Sequence, residues 1–131
     1  INHKVDYVFG IPGAKIDLFE GKVADQLAKY LSPQESGNKS HVRFAKLTDK
    51  KGRGLIVAGN CINVSALAYT PSEIEEARHD FELPPVTKTV LRVNLAQMGI
   101  GGDDTWGAPT LEDHLIKGKG TLKFSFVIKG I

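Results

Sequence analysis

Apolar positions fall two apart through much of this chain, the spacing of one face of a β-strand. In residues 61–69, Ile62, Val64, Ala66 and Ala68 share one side, with Asn63 and Ser65 opposite. That alternation predicts a half-buried strand. Residues 86–95 carry Leu91, Val93 and Leu95 in register, and residues 122–128 place Leu122, Phe124, Phe126 and Ile128 on one face. Shorter extended runs are expected at 5–9, 41–47 and 55–58. The last two flank a polar, glycine-bearing stretch at 48–54 and read as a hairpin with a long loop.

The helical period is weaker. Ile16, Phe19, Val23, Leu27 and Tyr30 lie three or four apart, but Gly21 interrupts that face at a cost of about 1 kcal/mol relative to alanine. A short helix at 23–29 is the expectation there. A second helix has clearer punctuation. Thr70 can cap it, Pro71 suits its first position and Glu73 can reach back to the cap amide, so a short helix is expected at about 71–78. Residues 32–39 have loop chemistry, and Pro84-Pro85 closes a connection. Five or six strands with one short helix predict an all-β fold, a mainly antiparallel β-sandwich. The strand–helix alternation of a parallel doubly wound sheet is missing.

Composition narrows the function classes. The chain has 131 residues, 41% hydrophobic and 24% charged, which suits one globular domain. Seventeen basic and fifteen acidic residues leave a net charge of +2. That is too weak to point to nucleic acid or a membrane surface. No apolar run approaches the ~18 residues of a spanning helix. The single cysteine, Cys61, forbids an intramolecular disulfide and suits a reducing compartment, so a cytoplasmic location is expected. The first residue is not methionine, and the chain is expected to be cut from something longer.

The unusual stretch is Met98-Gly99-Ile100-Gly101-Gly102-Asp103-Asp104-Thr105-Trp106, followed by Gly107-Ala108-Pro109. Glycines permit close backbone approach and unusual turns. Such a loop can hold the chain's only tryptophan with its apolar face against a sugar ring and its N–H free to donate. A plainer reading makes it a tight loop whose indole plugs the end of the sandwich. The glycine spacing is not that of a nucleotide-binding loop. Asp103 and Asp104 lack the spacing of a calcium loop and are read as bonding the amides of their own turn. Hydrolysis of a glycoside needs two carboxyl groups about 5–9 Å apart. No such pair stands out among Glu75, Glu76, Glu82, Glu112 and Asp113, which read as solvated. The four histidines show no metal spacing, and Cys61 reads as packing. No catalytic or metal-ligating residue is assigned.

The glycine-rich stretch resembles the M-G-I-G-G-D-D-S-W signature near the C-terminus of large lacZ-type β-galactosidases of glycoside hydrolase family 2. Pro33-Gln34-Glu35-Ser36-Gly37-Asn38 and Val42-Arg43 are similar to the family's P-Q-E-N-G-N…V-R segment. Residues 69–79 resemble its Y-S-x-x-x-L-x-x-A-x-H stretch. Order and spacing agree across 14–131, and the likeness is greatest to the branch in which this part is a separate small subunit. The resemblance implies a galactose-mutarotase-like supersandwich, here only in part, beside a TIM barrel that carries the catalytic glutamates and the magnesium and sodium ions. It implies that Trp106 is an apolar platform for a β-galactoside such as lactose, with Asp103 and Asp104 setting its loop. It also implies that Glu35, Gly37 and Asn38 belong to a mobile loop near the site entrance. The partners implied are the barrel portion or large subunit, and a homo-oligomer is admitted.

Two departures accompany the resemblance. The family domain is about twice as long, and its E-N-Y-x-D-R motif has no counterpart before Gly13. Residues 1–13 form an unmatched segment that instead resembles the start of acetolactate synthase, and no thiamine function is carried over. The expected function is therefore completion of a β-galactosidase pocket, the isolated chain being inactive. The alternative is a non-catalytic carbohydrate-binding sandwich.

Overall fold

The computed structural model describes residues 4–9, 17–97, 107 and 109–131; for 4–9, 17 and 114 it describes the backbone. The described residues form six strands and one short α-helix. The strands are β1 (Lys4–Phe9), β2 (Asp17–Lys22), β3 (Lys39–Thr48), β4 (Gly54–Leu67), β5 (Val90–Asn94) and β6 (Val127–Gly130), and the helix is α1 (Pro71–Glu76). Every pairing is antiparallel, in the order β2-β1-β3-β4-β5, with β6 also on β4. The sheet does not close into a barrel. The expectation of a sandwich is met as far as one antiparallel sheet: no second sheet packs on it among the described residues.

The 14-residue β4 organises the rest. One edge runs along β3; the other takes β6 beside residues 55–58 and β5 beside residues 63–67. The β3–β4 hairpin is the one expected from the polar turn. Asp49 closes that turn, its Oδ1 accepting from the Lys51 and Arg53 amides at 2.8 and 3.0 Å. Both strands bulge: Val42 faces Ile62, but Phe44 faces Ala58. His41 (φ 56°) and Cys61 (φ 55°) adopt left-handed backbone there, rare for residues with a Cβ. The bulges shift the two-residue alternation. Ala45 and Leu47 therefore share a core with Val42, and Val57 shares it with Ile62, Val64 and Ala66. Phe19, Leu55, Leu91 and Val93 pack against that core.

Four expectations need correction. Residues 17–22 are strand, followed only by a 3-10 turn at Val23–Asp25, not a helix at 23–29. Backbone pairing with β1, Phe19 opposite Tyr7, outweighs a helical face weakened by Gly21. The strand at 61–67 is buried on both faces rather than one: Asn63 and Ser65 are buried along with Ile62 and Val64. Cys61 is exposed on the bulge, not packed. The strands expected at 86–95 and 122–128 are shorter, at Val90–Asn94 and Val127–Gly130.

The capped helix is as expected in its start. Glu73 N donates to Thr70 Oγ1 at 3.3 Å and Thr70 N donates to Glu73 Oε2 at 2.7 Å, the reciprocal bonds of a capping box with Pro71 in the first turn. It stops at Glu76, where Ala77 turns extended. Its inward side chain, Ile74, is buried.

Candidate functional site

Trp106, Asp103 and Asp104 lie outside the described residues. What the structure does describe is the approach to them. β5 ends at Asn94, residues 95–97 follow exposed, and Gly107 resumes the described chain with a φ of 133°. The glycine-rich segment therefore departs just beyond Leu95.

That departure point is held by a polar chain running across the sheet. Asn63, buried on β4, donates Nδ2–H to the Leu95 carbonyl at 3.4 Å. Its Oδ1 accepts from Asn38 Nδ2 at 3.2 Å, and Asn38 Nδ2 also reaches Ser40 Oγ at 3.3 Å. A buried asparagine left without partners would cost free energy. Both ends of the Asn63 amide are occupied, and they tie the loop at 33–38 to the exit of β5.

The same loop is fastened at each residue from Glu35 to Asn38. Glu35 forms an ion pair with Arg92 of β5. Arg92 stands opposite Ser65 in the register, so the loop lies over the second face of β4 and β5. This cover explains why Asn63 and Ser65 are buried. Ser36 Oγ accepts from Ala28 N at 2.8 Å. The Gly37 carbonyl accepts from Lys39 Nζ at 3.1 Å, and the same ammonium reaches Gln26 Oε1 at 3.4 Å and lies 5.0 Å from the Phe19 ring centroid. Burial lowers the Lys39 pKa, because desolvation disfavours its charged form. Gly37 itself has a φ of 76°, and a Cβ there would stand 2.7 Å from the Gln26 carbonyl oxygen. The structure thus brings Glu35, Gly37 and Asn38 together with the root of the Trp106 segment. The residues that sequence reasoning missed are Asn63, read as the outward face of a half-buried strand, and Arg92.

The carboxylates elsewhere are solvated or hold local turns. Glu75, Glu76, Glu82, Glu112 and Asp113 are exposed. An open depression of about 640 Å³ is lined by Glu73, Glu76, Ala77, Arg78, Glu82 and Pro84. Two of its acids, Glu73 and Glu82, cap backbone amides: Glu82 Oε2 accepts from the Arg78 and His79 amides at 2.6 and 3.2 Å. Glu73 Oε1 accepts from Lys88 Nζ at 2.5 Å. That bond, followed by the Thr70 amide, lowers the Glu73 pKa to about 2. A general acid for glycoside cleavage needs the opposite shift. Among the described residues no group of three or more His, Cys, Asp or Glu comes together as a metal ion would require.

A family described as "Beta galactosidase small chain" matches residues 11–128. The chain belongs to this family. It is 41% identical over 128 residues to a β-galactosidase of Halalkalibacterium halodurans, covering 96% of this chain and 13% of that protein. A β-galactosidase of Priestia megaterium is 40% identical over 118 residues, 89% of this chain and 11% of its own length. One from Streptococcus thermophilus is 39% identical over 121 residues, 91% and 12% respectively. This chain thus spans about an eighth of the length of these curated relatives. The family match takes in the 33–38 loop, Asn63, Arg92 and the whole glycine–tryptophan stretch.

Proposed function

We propose that this chain completes the galactoside-binding pocket of a larger β-galactosidase. The catalytic carboxyl groups come from a TIM barrel in the large chain or upstream polypeptide. Trp106 lends the flat, apolar face of its indole to the sugar ring, and Asp103 and Asp104 shape the turn that presents it. The observation that supports this reading most is the family match across residues 11–128, joined to a sheet whose β5 exit is fixed by Asn63.

In this reading the described sheet is one part of a galactose-mutarotase-like sandwich. The barrel holds magnesium and sodium, the substrates are terminal β-D-galactosides such as lactose, and the assembly works in the cytoplasm. The chain contributes binding and orientation, and no carboxylate that attacks or protonates the glycosidic bond.

Complementation tests it. The pure chain alone is expected to show no turnover. Mixed with a β-galactosidase lacking the corresponding segment, it restores cleavage of a β-galactoside. In the restored enzyme Trp106→Ala raises KM about 10-fold, the loss of a stacking contact of roughly 1.4 kcal/mol. Unchanged KM and kcat in that variant would refute the platform. Galactoside binding by the chain alone, without any restored activity, would instead mark a free-standing carbohydrate-binding module.

A further inference from the structure

The C-terminal stretch carries apolar side chains that the described residues leave exposed. Leu122, Phe124, Phe126, Val127, Ile128 and Ile131 are 39–68% exposed. Val127 and Ile128 are adjacent on β6, so they point to opposite faces, and both are exposed: β6 lacks cover on either side. Phe124 and Phe126 stand side by side, with ring centroids 5.2 Å apart. Among the described residues β6 pairs only with β4, which leaves its other edge open.

A second observation concerns the pattern that precedes β6. Leu122, Phe124, Phe126 and Ile128 alternate as a strand would, yet pairing with β4 begins only at Val127. Alternation of large apolar residues is the signature of a strand with an apolar layer against one face. Here the sequence specifies that layer, and the described residues do not provide it. Isolated apolar residues on a surface need no explanation, but a contiguous patch of this kind marks an interface.

The relatives carry ample further polypeptide to supply such a layer. They are about eight times longer than the part this chain matches, so most of such an enzyme is polypeptide outside this segment. We infer that residues 122–131 are the surface on which that remaining β-galactosidase polypeptide docks, presenting an apolar face of its own, and that docking extends β6 backward through Leu122. This rests on the proposed function for the identity of the partner, and adds the surface. An apolar counterpart suits the patch, whose interior is Leu, Phe, Val and Ile, with Lys123 and Lys129 as its exposed cations.

The experiment uses the full chain and the Halalkalibacterium halodurans β-galactosidase shortened by the 13% that this chain matches. Amide exchange over residues 121–131 is followed on mixing, together with the chain concentration that gives half-maximal activity. Protection of residues 121–126 is expected to rise at least 10-fold in the complex. The double variant Phe124→Ser/Phe126→Ser is expected to raise the half-activating concentration at least 10-fold with the plateau unchanged. Phe81→Ser, an exposed aromatic elsewhere, leaves it unaltered. Restored activity with residues 121–131 unprotected would overturn the docking surface and leave the proposed function standing. Protection in a complex that cleaves nothing would uphold the surface and defeat pocket completion. No complex at all would defeat both. Self-association of the chain that the double variant abolishes would show a second copy as the occupant and overturn the proposal.

Discussion

β4 is one strand with two kinds of neighbourhood. Its second half, residues 62–67, is buried on both faces, because β5 flanks it and the 33–38 loop lies over its polar side. Its first half is flanked by β6, whose residues are exposed on both faces. The same sheet hydrogen bonding serves both ends. What differs is whether the described residues supply the cover. A strand's alternation records which side must be dry; it does not record which polypeptide keeps it dry.

The largest effect should separate the two halves directly. Ile62 is 1% exposed and Ile128 60%. Ile62→Ala is expected to cost about 2–5 kcal/mol in the isolated chain, a buried truncation with an incompletely collapsing cavity. Ile128→Ala should stay within about 0.5 kcal/mol. Denaturant unfolding of both variants checks it, and equal losses would erase the contrast. Next comes the loop that covers the polar side. Gly37→Ala forces a Cβ into left-handed backbone and against the Gln26 carbonyl. The expected cost is about 3 kcal/mol, at the upper end for such strain because the obstacle is backbone.

A smaller effect sharpens the link to the proposed site. Asn63→Ala takes one of two acceptors from the Asn38 amide and frees the Leu95 carbonyl, at about 1–2 kcal/mol. Because the chain has one tryptophan, its emission reports the segment rooted beyond Leu95. Asn63→Ala is expected to shift that emission, whereas Ser65→Ala, also buried on the same strand, is expected to leave it in place. Identical spectra for the two variants would mean that the asparagine chain stabilises the sheet without positioning the segment.

How far the sequence carried follows from the range of the forces involved. The β3–β4 hairpin and the start of α1 were legible because their determinants are local: a polar turn around Asp49, and Thr70 with Glu73 three residues on. The strand at 17–22 was not, because Phe19 and Val23 fit a helical face as well as they fit a strand, and pairing with β1 decided the matter. The bulges were invisible, since nothing in the chemistry of histidine or cysteine announces left-handed backbone at His41 and Cys61. Asn63 read as solvated because the loop that buries it lies 25 residues earlier in the chain. Of the candidate site, Glu35, Gly37 and Asn38 were singled out through their motif alone. Their partners Arg92 and Gln26 required the fold. Trp106, Asp103 and Asp104 rest on the motif and lie outside the described residues.

The smallest expected effect tests whether α1 is closed by its own residues, in contrast with β6. Lys88 is the foremost cause of the lowered Glu73 pKa, and the Thr70 amide is the next. A carboxyl group depressed on folding stabilises above its unfolded pKa, and that contribution is lost as protons return. For Glu73 the loss spans the interval from the ordinary glutamate value of 4.5 down to about 2. Lys88→Met removes the first cause and leaves the Thr70 bonds, so the Glu73 titration, followed by carboxyl NMR, should move up toward 4.5 without reaching it. The acid edge of stability should move up with it, by little, because the pair faces solvent and is screened. If the titration does not move, the capping amide alone sets the depression. α1 would then owe nothing to the segment that leads into β5.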